Sequence, residues 1–307
     1  MKDMTLTSIY KSIRPSIVAF VANFVPTYDT TKPPPLFPLI IGTGFVVDSD
    51  GIIATNMHVV RALAKAPKPP DFPPDKWPVR AMLFHMTEAG QLEIELKVFA
   101  VTGIRDFNSG EAYYGPKEGP DLGFVFVKAK GLVPLQIDGE TEIEEGMEVA
   151  TAGFPMGTDA LTAPGWLHQM TPTLQKGIVS AVLPYPCSHP HGFSINVMTQ
   201  GGASGSPVFS CTTGRVLGVL YAGLNDFDET LEQKDLYRVP TAISYVVPSR
   251  YIAHVLARMK DDPLRPQAAD AITVDEMLQQ AVIVNALEEP RDWKIWEGAQ
   301  KPPDEDS

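Results

Sequence analysis

The chain predicts an all-β protein: two six-stranded antiparallel β-barrels with flanking helices at the N- and C-terminal ends. Three observations carry this. Gly 24 and Pro 29 punctuate the sequence with turn formers, which suits many short strands. About six short apolar runs precede a break at 131–134 and about six follow it, a rhythm that suggests two closed sheets rather than one open one. Sustained helical periodicity is confined to the chain's two ends.

In order, residues 4–13 predict a short helix ended by Arg14-Pro15, and 16–25 an apolar strand. A proline-rich connection over 26–38 leads to strands over 39–47 and 52–55, joined by the turn Asp48-Ser49-Asp50-Gly51. Asn56-Met57-His58-Val59-Val60 follows directly after a strand. Residues 66–78, with six prolines, read as a surface excursion, and strands resume at 79–86 and 92–102. A polar loop over 105–120 delivers Asp121 to the mouth of the apolar strand Leu122-Gly123-Phe124-Val125-Phe126-Val127. The second half predicts strands near 148–153, 174–183, 193–198, 207–210, 215–221 and 239–247. Ser249 then caps a helix over 250–260, whose Ile252, Val255, Leu256 and Met259 recur at helical spacing.

These readings divide the chain into a β-rich body over 1–260 and an extension over 261–307. The first barrel spans about 14–131, the second about 132–247, and a helix 249–260 closes the body. The extension predicts one amphipathic helix over 274–288, read as a packing or oligomer contact, and a disordered acidic end over 302–307. Of the net charge of −12, residues 261–307 carry −8, from 12 acids and 4 bases. No basic face is left to displace counterions, which excludes a nucleic-acid partner. The apolar stretch 17–25 is too short to span a bilayer and lacks a small-residue cleavage site, so no membrane role is expected and the cytoplasm is the default location. Cys187 and Cys211 read as free thiols of a reducing compartment. Cys187-Ser188-His189-Pro190-His191 gathers soft ligands, but with no apparent fourth ligand and a proline between the histidines it reads as a loop, and no metal or cofactor is expected.

The sequence centres on Gly201-Gly202-Ala203-Ser204-Gly205-Ser206-Pro207, a glycine-rich turn that presents one serine between two strand-like runs. Ser204 is the candidate nucleophile, provided that a base takes its proton. His58 after a strand and Asp121 at a strand start supply the base and an orienting carboxylate. Asp106 competes for the latter role but lies in a polar loop, whereas Asp121 immediately precedes an apolar strand. The order His, Asp, Ser is one of the known chain orders for such a triad and goes with a two-barrel architecture.

Four stretches resemble the trypsin/chymotrypsin-fold serine endopeptidases, most closely their HtrA (Deg) branch. Gly42-Thr43-Gly44-Phe45-Val46-Val47 with Gly51-Ile52-Ile53-Ala54-Thr55-Asn56-Met57-His58-Val59-Val60 resembles the strand pair ending in the family's histidine. Pro120-Asp121-Leu122-Gly123-Phe124-Val125 resembles its aspartate-led strand, and residues 145–155 the strand opening the second barrel. Gly202-Ala203-Ser204-Gly205-Ser206 with Val216-Leu217-Gly218-Val219 resembles the nucleophile turn and the strand after it. The resemblance implies His58 as general base and acid, Asp121 as holder of its tautomer, Ser204 as acyl carrier, and the N–H groups of Gly202 and Ser204 as the oxyanion hole. It implies a protein or peptide substrate and needs no cofactor.

The sequence departs from that pattern in three places. Ala203 stands where zymogen-type trypsins have an aspartate that pairs with a newly cleaved N-terminus, so activation by that ion pair is not expected. Ser206 replaces a frequent glycine. The 47 residues after Lys260 are too few for the PDZ module of typical HtrA proteins. The specificity pocket is expected from the strands beside the nucleophile, with Met198, Thr199, Tyr221 and Ala222 touching substrate. Met198 stands where trypsins carry an acid, so an apolar residue before the scissile bond is expected. The competing reading, a trypsin-fold binding or scaffold protein whose triad never aligns, differs in giving no reaction with a serine-directed probe.

Overall fold

A computed structural model describes residues 5–22, 39–66, 79–87, 90–101, 119–157, 171–227, 238–259, 271–276 and 282–284. The expectations for 26–38, 67–78, 105–118 (Asp106 included) and 302–307 lie outside these residues. The N-terminal strands are β1 (Ile17–Ala22), β2 (Leu39–Asp48), β3 (Ile52–Thr55), β4 (Val79–Thr87), β5 (Gly90–Val101), β6 (Gly123–Val127) and β7 (Ala129–Lys130). The C-terminal ones are β8 (Glu148–Gly153), β9 (Thr173–Leu183), β10 (Gly192–Ile195), β11 (Pro207–Ser210), β12 (Val216–Phe227) and β13 (Arg238–Pro248). Two-residue β14 (Ile272–Thr273) and three-residue β15 (Val282–Val284) follow.

The C-terminal half is a closed antiparallel barrel in the order β10-β13-β12-β11-β8-β9. The N-terminal half is a curled sheet, β15-β5-β4-β1-β2-β3-β6, in which β5 also bonds to β6. That second pairing brings six strands into a ring, because β5 is long enough to serve two partners along one edge. Its residues 98–101 pair with β6 and its residues 91–93 with β15. The expected helix over 274–288 is corrected accordingly: residues 274–276 are helical, 277–281 lie outside the described residues, and 282–284 form a strand on β5. Long-range pairing there overrides local helical spacing. β14 runs parallel to β7, tying the extension to the first barrel.

β1 is buried on both faces, and its side chains alternate between two cores. Val18 and Phe20 join the first-barrel cluster with Val46, Ile53 and Val125, while Ile17, Ala19 and Val21 join a central cluster shared by both halves. That central cluster includes Phe84 and Phe154, whose ring centroids are 5.7 Å apart across the junction, and Phe209 and Val219 of the second barrel. Burying each aromatic side chain contributes about 2 to 3 kcal/mol, so this shared core fixes the two halves against each other. Helix α1 (Leu6–Ile13) adds Ile9 and Ile13 to it, with Thr5 capping Ser8 N–H at 3.3 Å. The helix expected after Ser249, α3 (Ser249–Met259), adds Tyr251, Ile252 and Val255, and the Ser249 hydroxyl donates to the Asp138 carbonyl in the crossing between halves.

One helix is missing from the sequence reading. His58 does not simply follow a strand but sits in the first turn of α2 (Met57–Ala64), which starts two residues after β3. Val59, Val60 and Leu63 are fully buried at helical spacing, while His58 stays exposed.

Candidate active site

α2 begins with an orphan backbone donor that its own cap residue leaves unsatisfied. Asn56 holds the N-cap position but makes no side-chain cap bond; its Nδ2 instead donates to the Asp121 carbonyl at 2.8 Å. The carboxylate of Asp121 fills the gap, its Oδ1 accepting the His58 N–H at 3.0 Å. A helix N-terminus favours a negative charge at this position. The second oxygen, Oδ2, meets His58 Nδ1 at 2.6 Å, so Asp121 grips one residue through both main chain and ring. The ring nitrogen facing Asp121 is thereby held as the donor, leaving Nε2 as the basic face.

Val59 of α2 and the Ser204 carbonyl both border Gly42. A methyl group built on Gly42 would sit 2.8 Å from Val59 Cγ2 and 3.4 Å from the Ser204 carbonyl, so the first turns of α2 and the serine loop face each other with only a glycine between them. The Ser204 carbonyl accepts the Thr43 N–H at 2.8 Å, anchoring the loop to β2. No hydrogen bond joins Ser204 Oγ to His58 Nε2; nucleophile–base pairs of this kind need not be bonded until substrate binds.

The loop itself turns at Gly202 (φ +91°), where any side chain would strike the Phe154 carbonyl at 2.4 Å and the Gly157 nitrogen at 2.6 Å. The Ala203 N–H is spent on the Gln200 carbonyl at 3.1 Å and the Gly205 N–H on the Leu220 carbonyl at 2.8 Å. The N–H groups of Gly202 and Ser204 donate to nothing among the described residues.

Of the four residues expected to touch substrate, Met198 is 46% exposed beside the loop, and Tyr221 and Ala222 are half-buried on β12. Thr199 is buried instead, its hydroxyl 2.7 Å from that of Ser244, which donates to the Val197 carbonyl at 2.6 Å. Ser244 escaped the sequence reading because only the register Gly223↔Ser244 between β12 and β13 brings it to this wall. Thr43 escaped as well, and Ser206 stands out in the sequence only as a tolerated replacement for a frequent glycine; both hydroxyls lie buried under the serine loop.

Both cysteines are free, Cys187 half-buried and Cys211 buried. Burial raises the Cys211 thiol pKa above its ordinary value, against the pull of nearby Lys176. In the Cys187–His191 segment the carbonyls of His189 and Pro190 accept Arg250 Nη2 at 3.2 and 3.0 Å, and no group of three or more metal-ligating side chains occurs among the described residues. No helix among the described residues is long and apolar enough to cross a membrane.

A closed barrel beside a curled sheet, a carboxylate-held histidine and a serine on a glycine-rich turn belong to one class of protein, which the comparisons give. The chain belongs to the trypsin-like peptidase domain family, whose model matches residues 42–219, and it is a serine endopeptidase of that family. No curated protein sequence matches it significantly. Among solved structures it is similar to the HtrA-type protease AlgW with decapeptide, at 14% identity and a TM-score of 0.50, covering 84% of this chain and 68% of that one. A second similar structure, Deg5, has 18% identity and a TM-score of 0.45, covering 81% of this chain and 90% of that one. The first of these likenesses supports the double-barrel fold.

Proposed function

We propose that the protein hydrolyses peptide bonds through a Ser204-His58-Asp121 triad and an acyl-enzyme intermediate. The two-point grip of Asp121 on His58 is the observation that carries this reading, because it leaves Nε2 as the one basic nitrogen turned away from the carboxylate. His58 takes the Ser204 proton as Oγ attacks the scissile carbonyl, then gives it to the leaving amine; water enters by the same proton path and releases the acid. The unspent N–H groups of Gly202 and Ser204 receive the developing oxyanion, an effect of about 3 kcal/mol per donor. All the groups these steps use are the chain's own.

The proposed substrate wall consists of Met198, Tyr221 and Ala222, with Thr199 behind them. Its buried hydroxyls are spent in a chain, Thr199 donating to Ser244 and Ser244 to the Val197 carbonyl, and offer no charge, which supports a preference for an apolar residue before the scissile bond. AlgW, described with a bound decapeptide, supports a peptide ligand for this cleft by analogy of fold. Two unbridged thiols support a reducing, cytoplasmic location, and the extension, which pairs with its own barrel through β14 and β15, is proposed as a packing or assembly contact.

A fluorophosphonate probe tests the chemistry. Labelling of the wild type that disappears in Ser204→Ala supports the triad, whereas no labelling of the wild type overturns it in favour of a catalytically silent scaffold. Cleavage of a peptide library mainly after Arg or Lys would contradict the apolar pocket.

A further inference from the structure

The serine loop is held from beneath by two buried hydroxyls that none of the steps above uses. Thr43, fully buried on β2, donates through Oγ1 to the Gly202 carbonyl at 2.7 Å and accepts the Phe154 N–H at 3.1 Å. Ser206, 2% exposed, donates through Oγ to the Ala203 carbonyl at 2.6 Å, which also accepts the Ser206 N–H at 3.0 Å. Gly153 at the end of β8 makes room for that hydroxyl: a methyl there would lie 2.0 Å from Ser206 Oγ and 3.0 Å from Thr43 Oγ1. Both hydroxyls therefore occupy one compact seam between the two halves.

We infer that Thr43 and Ser206 are positioning residues that lock the oxyanion donors into place, an inference that rests on the triad reading above. A trans peptide is planar, and its C=O and N–H point in opposite directions. The Ala203 carbonyl and the Ser204 N–H belong to one such plane, so a hydroxyl that holds the carbonyl toward the interior turns the N–H toward the cleft. Thr43 fixes the neighbouring plane, between Gly202 and Ala203, which separates the two donors. Ala203 brings no polar group of its own to the loop, so the lock comes from β2 on one side and from the residue two positions past the nucleophile on the other. The donors are thus preorganised without a partner or a cleavage event, and preorganisation is what makes such donors effective.

The test compares saturation kinetics of fluorophosphonate labelling in wild type, Thr43→Val, Thr43→Ser and Ser206→Ala, well below each protein's unfolding midpoint. Thr43→Val and Ser206→Ala are expected to slow the maximal labelling rate about tenfold or more, with the half-saturating probe concentration within about twofold. Thr43→Ser restores the hydroxyl and recovers most of the loss. Wild-type protein that does not label at all overturns the triad reading itself. Labelling wild type together with folded Thr43→Val and Ser206→Ala that react at its rate overturns only the lock, as does a Thr43→Ser no better than Thr43→Val. Should Thr43→Val fail to fold, Ser206→Ala decides alone: an unchanged rate there refutes the lock, and a slowed one supports it.

Discussion

Asp121 binds His58 twice, at the main-chain N–H at 3.0 Å and at Nδ1 at 2.6 Å, and the two bonds have different consequences. One caps α2; the other orients the ring. Asp121→Asn keeps an oxygen for the cap but lets the amide nitrogen face the ring, which selects the wrong tautomer. The expected result is a loss in kcat of about 10⁴-fold with little change in unfolding midpoint. Asp121→Ala loses both, so its kcat falls similarly and stability drops by about 1 kcal/mol more. Equal stabilities of the two variants, measured by denaturant unfolding, would remove the capping role.

Asn56 links the same pair from behind. It is fully buried, and its Nδ2 holds the Asp121 carbonyl while Oδ1 has no partner among the described residues. Asn56→Ala is expected to destabilise the fold by about 1 to 3 kcal/mol and to lower kcat about tenfold or more by loosening Asp121. A variant as active as wild type would show that Asp121 is placed by β6 alone.

Barrel strands such as 52–55 and 207–210 are legible in the sequence because each is a short apolar run bounded by glycine, proline or acidic turns. The meeting of His58 with Asp121 is legible for a related reason: Thr55, which ends β3 shortly before His58, pairs with Gly123, which starts β6 shortly after Asp121. α2 was hidden because Val59 and Val60 are β-branched and Asn56, a good capping residue, spends its side chain elsewhere. β15 was hidden because its pairing with β5 is set by residues about 190 positions away, which no local period reports. Thr43, Ser206 and Ser244 look like ordinary strand and turn residues until the two halves close on them.

The serine loop offers a contrast between two glycines four residues apart. Gly205 has φ +88°, and a methyl there would sit 1.9 Å from the Thr43 carbonyl and 2.3 Å from Thr55 Oγ1. Backbone cannot yield cheaply, so Gly205→Ala is expected to cost about 3 kcal/mol or more and to abolish activity. Gly201 is exposed, with no atom within 4 Å of the same position, and Gly201→Ala should change stability by less than about 0.5 kcal/mol. Thermal unfolding of both variants checks the pair, and similar midpoints would refute the assigned loop geometry.

The crossing between the two halves predicts an acid-sensitive contribution. Asp138 Oδ1 accepts the N–H groups of Glu140 and Thr141 at 3.3 and 2.9 Å, and Oδ2 accepts the Thr141 hydroxyl at 2.7 Å. Partial burial pushes the Asp138 pKa up, but the Thr141 bonds, the Glu140 bond and the charge of Arg215 together outweigh it and hold the carboxyl below the usual range. A carboxylate whose pKa is depressed by folding stabilises the protein above its unfolded value, and that stabilisation is lost as pH falls through the folded value. Asp138→Asn removes the charged acceptor, so at pH 7 it should be less stable than wild type by about 0.5 to 1 kcal/mol, a small figure because the group is largely solvated. The gap should close as the pH drops below the ordinary aspartate range, because wild type then carries a neutral carboxyl too. Denaturant midpoints of the two proteins across an acid series decide it: a gap that persists unchanged to the acid end would refute the charge as its cause, and no gap at pH 7 would mean that position 138 contributes only through its backbone bonds, to the Val216 carbonyl and from the Ser249 hydroxyl, which both variants keep.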